Sequence, residues 1–446
     1  MNADAQPLEP RGNSRPAPTS AAGGHVDSWY AATAAPAPAR PPLEGDLDTQ
    51  VCVVGAGFSG LATGLHLAER GRRVTVLEAE RVGWGASGRN GGQLVNGYSR
   101  DLDVIRRRYG TTAARALGAM AFEGAGIIRE LVARYDIDCD LRDGGVAAAF
   151  NRRQLRALEA QKENWDAFGH GALELLDAES IRRHVATDLY VGGLLDRRSG
   201  HVHPLNLALG EAAALESLGG TIHEETVVNR VEPGEKPCVH TNRGRVRADT
   251  VILCGNAYLG NAVPALRDRI MPVSTQIIAT EPLDPTTARR LFPSGACIED
   301  CNYMLDYYRL SADNRVLFGG GTVYGGRTPA DIIRRLRPHL ARTFPELADA
   351  RIDHAWSGNF ALTMTRIPHI GRLDERIYFT HGYSGHGVTT THLAGRLIAE
   401  AVDGDTHRFD AFAGLRNHPF PGGRTLRVPL TVAGAWYYML REKLGL

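Results

Sequence analysis

Gly55-Ala56-Gly57-Phe58-Ser59-Gly60 follows the apolar run Val51-Cys52-Val53-Val54, and a carboxylate, Glu78, stands about twenty residues beyond it. Those residue types at that spacing do the chemistry of holding a dinucleotide. Gly55 permits a tight strand-to-helix turn, Gly57 lets the backbone approach a pyrophosphate, and Gly60 lets the helix close on the strand. The helix N-terminus then faces the phosphates. Glu78, with Ala79 beside it, is placed to accept hydrogen bonds from ribose hydroxyls and to repel a 2′-phosphate. A glycine turn alone matches by chance. Here residues 61–70 are good helix formers, Gly71 suits the C-terminal cap and Val74-Thr75-Val76-Leu77 reads as a second buried strand, so the whole series occurs in order.

A second glycine-dense segment bears on whether the ligand is a nicotinamide or a flavin dinucleotide. Gly83-Trp84-Gly85-Ala86-Ser87-Gly88-Arg89-Asn90-Gly91-Gly92-Gln93 has five glycines among eleven residues. Such a loop can run along a flat ring and its ribityl chain with backbone N–H groups donating, which a nicotinamide domain does not need. Near the C-terminus the pattern of strand, turn and helix returns. Residues 377–380 read as a strand, His381-Gly382-Tyr383-Ser384-Gly385-His386-Gly387-Val388 as a turn, and 389–402 as a helix. Its N-terminus would bring partial positive charge to a ring where negative charge accumulates on reduction. A third place of close approach is Cys254-Gly255-Asn256, small residues after the buried strand Val251-Ile252-Leu253.

These segments together resemble the FAD-dependent amine and D-amino-acid oxidase superfamily, in which the loop from Gly85 to Gln93 lies near the flavin. Residues 87–101 (SGRNGGQLVNGYSRD), 306–311 (DYYRLS) and 319–327 (GGGTVYGGR) look like bacterial γ-glutamylputrescine oxidases. The resemblance implies an α/β fold, with a Rossmann-like FAD domain interleaved with an α+β substrate domain on a mainly antiparallel sheet. It implies that Val228 lies where a backbone group meets the adenine, and that Arg366-Ile367-Pro368-His369-Ile370-Gly371 approaches the ring. FAD is expected to be non-covalent, because Arg89-Asn90 stand where covalent relatives place a histidine. The reaction implied is oxidation of an amine at its α-carbon, hydrolysis of the imine to aldehyde and ammonia, and reoxidation by oxygen to give peroxide. No lysine falls in a flavin-facing motif, so any helper charge comes from His386, Arg89 or the helix terminus. His386, Arg89 and Tyr308 are the catalytic candidates; structural hydrogen bonding and core packing are the competing roles of His386 and Tyr308. An alternative is a flavin-dependent dehydrogenase of a D-amino acid, glycine, sarcosine or another secondary amine with a non-oxygen acceptor. A nicotinamide dehydrogenase and a flavin-binding sensor are further alternatives.

Composition fits such an enzyme. The 446 residues carry 51 basic and 50 acidic side chains, a net charge of +1, which gives no electrostatic reason to bind nucleic acid or an anionic membrane. The expected partner is a small-molecule amine. The six cysteines form no Cys-x-x-Cys pair, so buried reduced thiols in the cytoplasm are expected, with no metal. Cys297 and Cys301 could share a helical face, and His201-x-His203 is read as part of a turn into a helix near Pro204 rather than as a ligand pair. Residues 1–46 are rich in Ala and Pro and read as a largely disordered tail in which Trp29-Tyr30 can anchor on the folded body. Residues 47–137, 186–265 and 353–425 are assigned to the FAD domain, and 138–185 with 266–352 to the substrate domain. The C-terminal helix, 426–446, can pack on its own domain or meet a membrane or a partner subunit, and the oligomeric state is left open.

Overall fold

The computed structural model describes residues 24–323 and 328–443. Tyr324 to Arg327, part of one motif noted above, lie outside them, as does half of the N-terminal tail, residues 1–23.

Val51 to Val54 are all buried, and the strand Leu47–Val54 lies between Val74–Leu77 and Arg245–Leu253, parallel to both. An unbroken apolar run is what a strand covered on both faces requires. Ile377–His381 extends this sheet beyond Arg245–Leu253, Thr221–His223 extends it beyond Val74–Leu77, and His369–Arg372 closes one edge antiparallel. Two helices pack together over it. Phe58–Ala68 is buried at every position, and Gly387–Val402 lies so close that a Cβ on Gly395 would stand 2.8 Å from the backbone nitrogen of Thr63. The second helix is also tied to Pro204–Ser217, because fully buried His392 meets fully buried Glu211 at 2.5 Å.

The second sheet runs in the order Ile352–Leu362, Met271–Thr280, Val316–Val323, Asp306–Leu310, Cys297–Asp300, Arg142–Ala149, Gly192–His201, Leu173–Asp177. All its pairings are antiparallel except that of Cys297–Asp300 with Arg142–Ala149. Two strands depart from the sequence-based division. Gly192–His201 belongs to this sheet although 186–265 was assigned to the FAD domain, and Ile352–Leu362 occupies the start of 353–425. Sheet membership is decided by long-range partners, and local pattern carries no record of them. Cys297 is likewise in a strand, so Cys297 and Cys301 share no helical face.

Trp29 and Tyr30 are buried in a junction with Trp356, Leu205 and Ile277, as expected of an anchor. Pro204 opens a helix capped by His203, whose Nδ1 accepts from the N–H of Asn206. The helix Gly423–Lys443 reaches back to its own chain through Arg427, which donates to the carbonyl of Ile270, while Leu426, Leu430 and Tyr437 are exposed. Among the described residues no helix is long and apolar enough to cross a membrane.

Candidate active site

The glycine turns, hundreds of residues apart in sequence, are tied to one another. Gly55 takes φ +106°, and a Cβ on Gly60 would fall 1.8 Å from the carbonyl oxygen of Gly55, so only glycine lets Phe58–Ala68 start where it does. Cys254 donates to the carbonyl of Val54 at 2.8 Å, placing the third turn beside the first. Asn256 Oδ1 accepts from the N–H of Gly382 at 2.9 Å, joining the third turn to the last. Tyr383 closes the ring, its hydroxyl 2.6 Å from both Ser59 Oγ and Thr380 Oγ1. Neither helix that begins here, Phe58–Ala68 or Gly387–Val402, is capped by the side chain of its own N-cap residue, so first-turn N–H groups beyond that of Phe58 remain for an anion.

At the other end of the cradle, Glu78 accepts from the N–H of Ala56 at 2.8 Å and of Glu80 at 2.9 Å, which fixes its carboxylate beside the first turn. Desolvation pushes that carboxyl up to about 7. Thr226 donates to the carbonyl of Glu78, which brings the segment leading to Val228 alongside, and Ala79 follows Glu78 in the same bend. A cradle of helix ends, glycine-lined backbone and a carboxylate fixed beside the first turn fits FAD.

The flavin loop holds itself together. Ser87 Oγ accepts from the N–H of Phe58, and Gly85 and Ala86 lead into a single 3-10 turn, Ala86–Gly88. Asn90 donates to the carbonyls of Ala86 and Ser87 and accepts from Gly92 N–H. Gly91 is gripped from outside, its carbonyl accepting from Arg309 Nε at 2.7 Å. Arg89 was a catalytic candidate and a candidate source of helper charge. Its Nε donates to the carbonyl of Trp84 and its guanidinium lies over the Trp84 ring at 4.2 Å, so it serves as a brace of the loop and does not line the cavity.

Two other expectations are corrected. Tyr308 is buried in the core, stacked on Phe318 and hydrogen-bonded to Tyr190 at 2.7 Å, with no access to a ligand. Its neighbour Tyr307, on the opposite face of the strand, packs against Gly91 and bonds Thr275 at 3.0 Å. His386 does stand in the last turn, but desolvation holds its imidazole down at about 4, so it is neutral near pH 7 and supplies no helper charge. Its Nδ1 is buried without a partner among the described residues.

Against this turn lies a cavity of about 260 Å³ on one face of the second sheet. Gln93 and His386 wall it on the flavin side, Cys297 and Glu299 line it from the second sheet, and exposed Arg100 and Asp101 stand on its rim. Asp196, also on the wall, is already satisfied by His170 at 2.9 Å and Asn96 at 2.8 Å. Glu299 was not among the sequence-based candidates. The only signal was a charge directly after the apolar run Ala296-Cys297-Ile298, with a second acid, Asp300, beside it.

The model of the family described as FAD dependent oxidoreductase, DAO, matches residues 50–401. The chain belongs to that family. It is 57 % identical over 422 residues, 94 % of this chain and 99 % of the relative, to the γ-glutamylputrescine oxidoreductase of Escherichia coli (strain K12). Glycine oxidase of Geobacillus kaustophilus is 25 % identical over 81 % of this chain and 94 % of its own; its crystal structure superposes with a TM-score of 0.65, covering 80 % of this chain and 95 % of that one. The crystal structure of L-proline dehydrogenase from P. horikoshii, 20 % identical, gives 0.68 over 90 % of this chain and 99 % of its own. The protein is thus an FAD-dependent oxidoreductase with the fold of this family, as the sequence motifs indicated.

Proposed function

We propose that this enzyme oxidises γ-glutamylputrescine at its terminal primary amine, with non-covalently held FAD, giving the aldehyde and ammonia. The observation that carries the reading is 57 % identity, over nearly the full length of both chains, to a relative named for that substrate. The cavity supports it. Its rim offers an arginine beside an aspartate, charges that complement the α-carboxylate and α-ammonium of a glutamyl group.

FAD, when bound, supplies acceptance of a hydride from the carbon bearing the amine. The protein supplies the rest. The starts of Phe58–Ala68 and Gly387–Val402 present N–H groups to the negative charge of the cofactor. Glu78 takes the ribose. The walls from Gln93 and His386 to Cys297 hold the substrate's C–H bond in one orientation and exclude bulk water from it. Arg309 and Asn90 keep the flavin loop in that register from behind. Oxygen as the electron acceptor and the cytoplasm as the location belong to this reading, and six unpaired thiols agree with the latter.

The test is an anaerobic titration of the purified yellow protein. γ-Glutamylputrescine is expected to bleach the visible absorbance, with putrescine, sarcosine, glycine and D-alanine far less effective, and air to restore it with formation of peroxide. Bleaching by sarcosine or D-alanine in preference would replace the substrate. Restoration by a quinone but not by air would replace the acceptor.

A further inference from the structure

The strand Cys297–Asp300 carries an acid, Glu299, that no described residue satisfies. Successive residues of a strand point to opposite faces. Ile298, directly opposite Tyr308, joins the core around Phe318, whereas Glu299, opposite Tyr307, faces the side on which Tyr307 meets the flavin loop. Gln93 of that loop donates to the carbonyl of Ile298 at 3.0 Å, so loop and strand form one unit. The Glu299 carboxylate lines the cavity and makes no hydrogen bond or ion pair to any described residue. Desolvation, with no compensating charge, pushes it up to about 7.

Glu299 is half-buried, and charges withdrawn from bulk water are ordinarily paired, because an unpaired one forfeits hydration with no return. An unpaired carboxylate kept in a ligand cavity, beside the turn that meets the cofactor, is a site for a cation. Asp196 does not compete for that role, since His170 and Asn96 already occupy it. Asp101 is on the exposed rim, at the end assigned to the glutamyl group.

We propose that Glu299 is the counter-ion of the substrate's terminal ammonium and the base that takes its proton. One proton moves from nitrogen to a carboxylate oxygen, leaving a neutral amine and a carboxylic acid, and no electron changes hands. The freed lone pair is what loss of hydride from the adjacent carbon requires. The inference rests on the reading above for the identity of the ammonium's carrier.

The test is calorimetric binding to the FAD-loaded protein and needs no turnover. One ligand is γ-glutamyl-4-amino-4-methylpentylamide, whose amine-bearing carbon has no hydrogen to lose; the other is γ-glutamyl-4-hydroxybutylamide, which is uncharged at that end. Glu299→Gln is expected to weaken the first about 10–100-fold and the second less than 3-fold, with Glu299→Asp recovering part of the loss. Equal loss on both ligands, or no loss on either, overturns the proposal. If the wild-type protein binds neither, the γ-glutamyl reading has failed, and the comparison is made with 2-methylpentan-2-amine against 2-methylpentan-2-ol. Selective loss of the amine in Glu299→Gln then upholds Glu299 as the cation site. Equal binding, or binding of no amine at all, ends it.

Discussion

A carboxylate that no described residue pairs is a burden on the substrate-free fold, and that burden depends on pH. The carboxyl of Glu299 is raised from its ordinary value of 4.5 to about 7 in the fold, so the folded state holds the proton more tightly than the unfolded one. Its contribution to stability is therefore fully present below about pH 4.5 and is lost as pH rises through 7. Glu299→Gln, a permanent mimic of the protonated form, is expected to melt about 2 °C above the wild type at pH 8 and to coincide with it at pH 4.5, measured by calorimetry without ligand. A lower melting temperature at pH 8 would mean the carboxylate has a partner. Arg100 makes no ion pair or hydrogen bond to any described residue and stands on the cavity rim. Arg100→Ala is accordingly expected to raise KM for γ-glutamylputrescine about 10–100-fold with kcat within about 2-fold, since it acts far from the reacting carbon. Tyr308→Phe removes a core hydrogen bond to Tyr190, costing about 1 kcal/mol of stability and leaving kcat/KM unchanged. The parity of a strand separates Tyr307 from Tyr308, and sequence shows that they face opposite ways without showing which way is in. His386 was legible as a residue of the last turn but not as a neutral one, because its pKa is set by walls that come from other parts of the chain.

At the scale of elements, the readable parts were those whose chemistry is done by backbone. Gly55, Gly57 and Gly60 announce their turn because no other residue type fits it, and the acid at Glu78 must follow the second strand at a fixed distance. In the last turn Gly382 and Gly385 carry the same mark, with φ +72° and +103°. What a strand pairs with carries no comparable mark. Gly192–His201 joins the substrate sheet through Arg142–Ala149 and Leu173–Asp177, and Cys297–Asp300 enters the same sheet parallel to one neighbour and antiparallel to the other. Glu299 escaped notice for that reason, since its function depends on the face its strand presents. The tightest of the readable contacts gives a direct test. Gly60→Ala would drive a Cβ into the carbonyl of Gly55, and relief requires the helix Phe58–Ala68 to leave the sheet it packs against. The variant is expected to purify colourless, with at least a 100-fold loss of FAD affinity in fluorescence titration. Retention of stoichiometric yellow cofactor would show that the turn has slack.

Across the whole molecule, the N-terminal segment links the second sheet to the start of the helix Pro204–Ser217 through aromatic packing. Tyr30 is fully buried, edge-on to Trp356 of the second sheet at 5.3 Å, and its hydroxyl accepts from Arg309 at 3.2 Å. The same arginine holds the carbonyls of Gly91 and Val202, so one guanidinium joins the N-terminal segment, the flavin loop and the strand that leads into Pro204. Trp29 adds a contact to His203 at 5.1 Å and donates to Asp313. A segment that covers no part of the cavity thereby helps fix the loop that walls it. Tyr30→Ala removes a fully buried ring and costs about 3–5 kcal/mol by cavity formation. The effect that distinguishes a brace from ordinary core is where that cost appears. Because Arg309 loses its outer partner, the flavin loop is expected to gain amide exchange at Gly91 and Gly92 before the sheets do, and FAD to dissociate faster, about 10-fold or more. Uniform loss of protection across both sheets, with the FAD off-rate unchanged until melting, would assign Tyr30 to core packing alone.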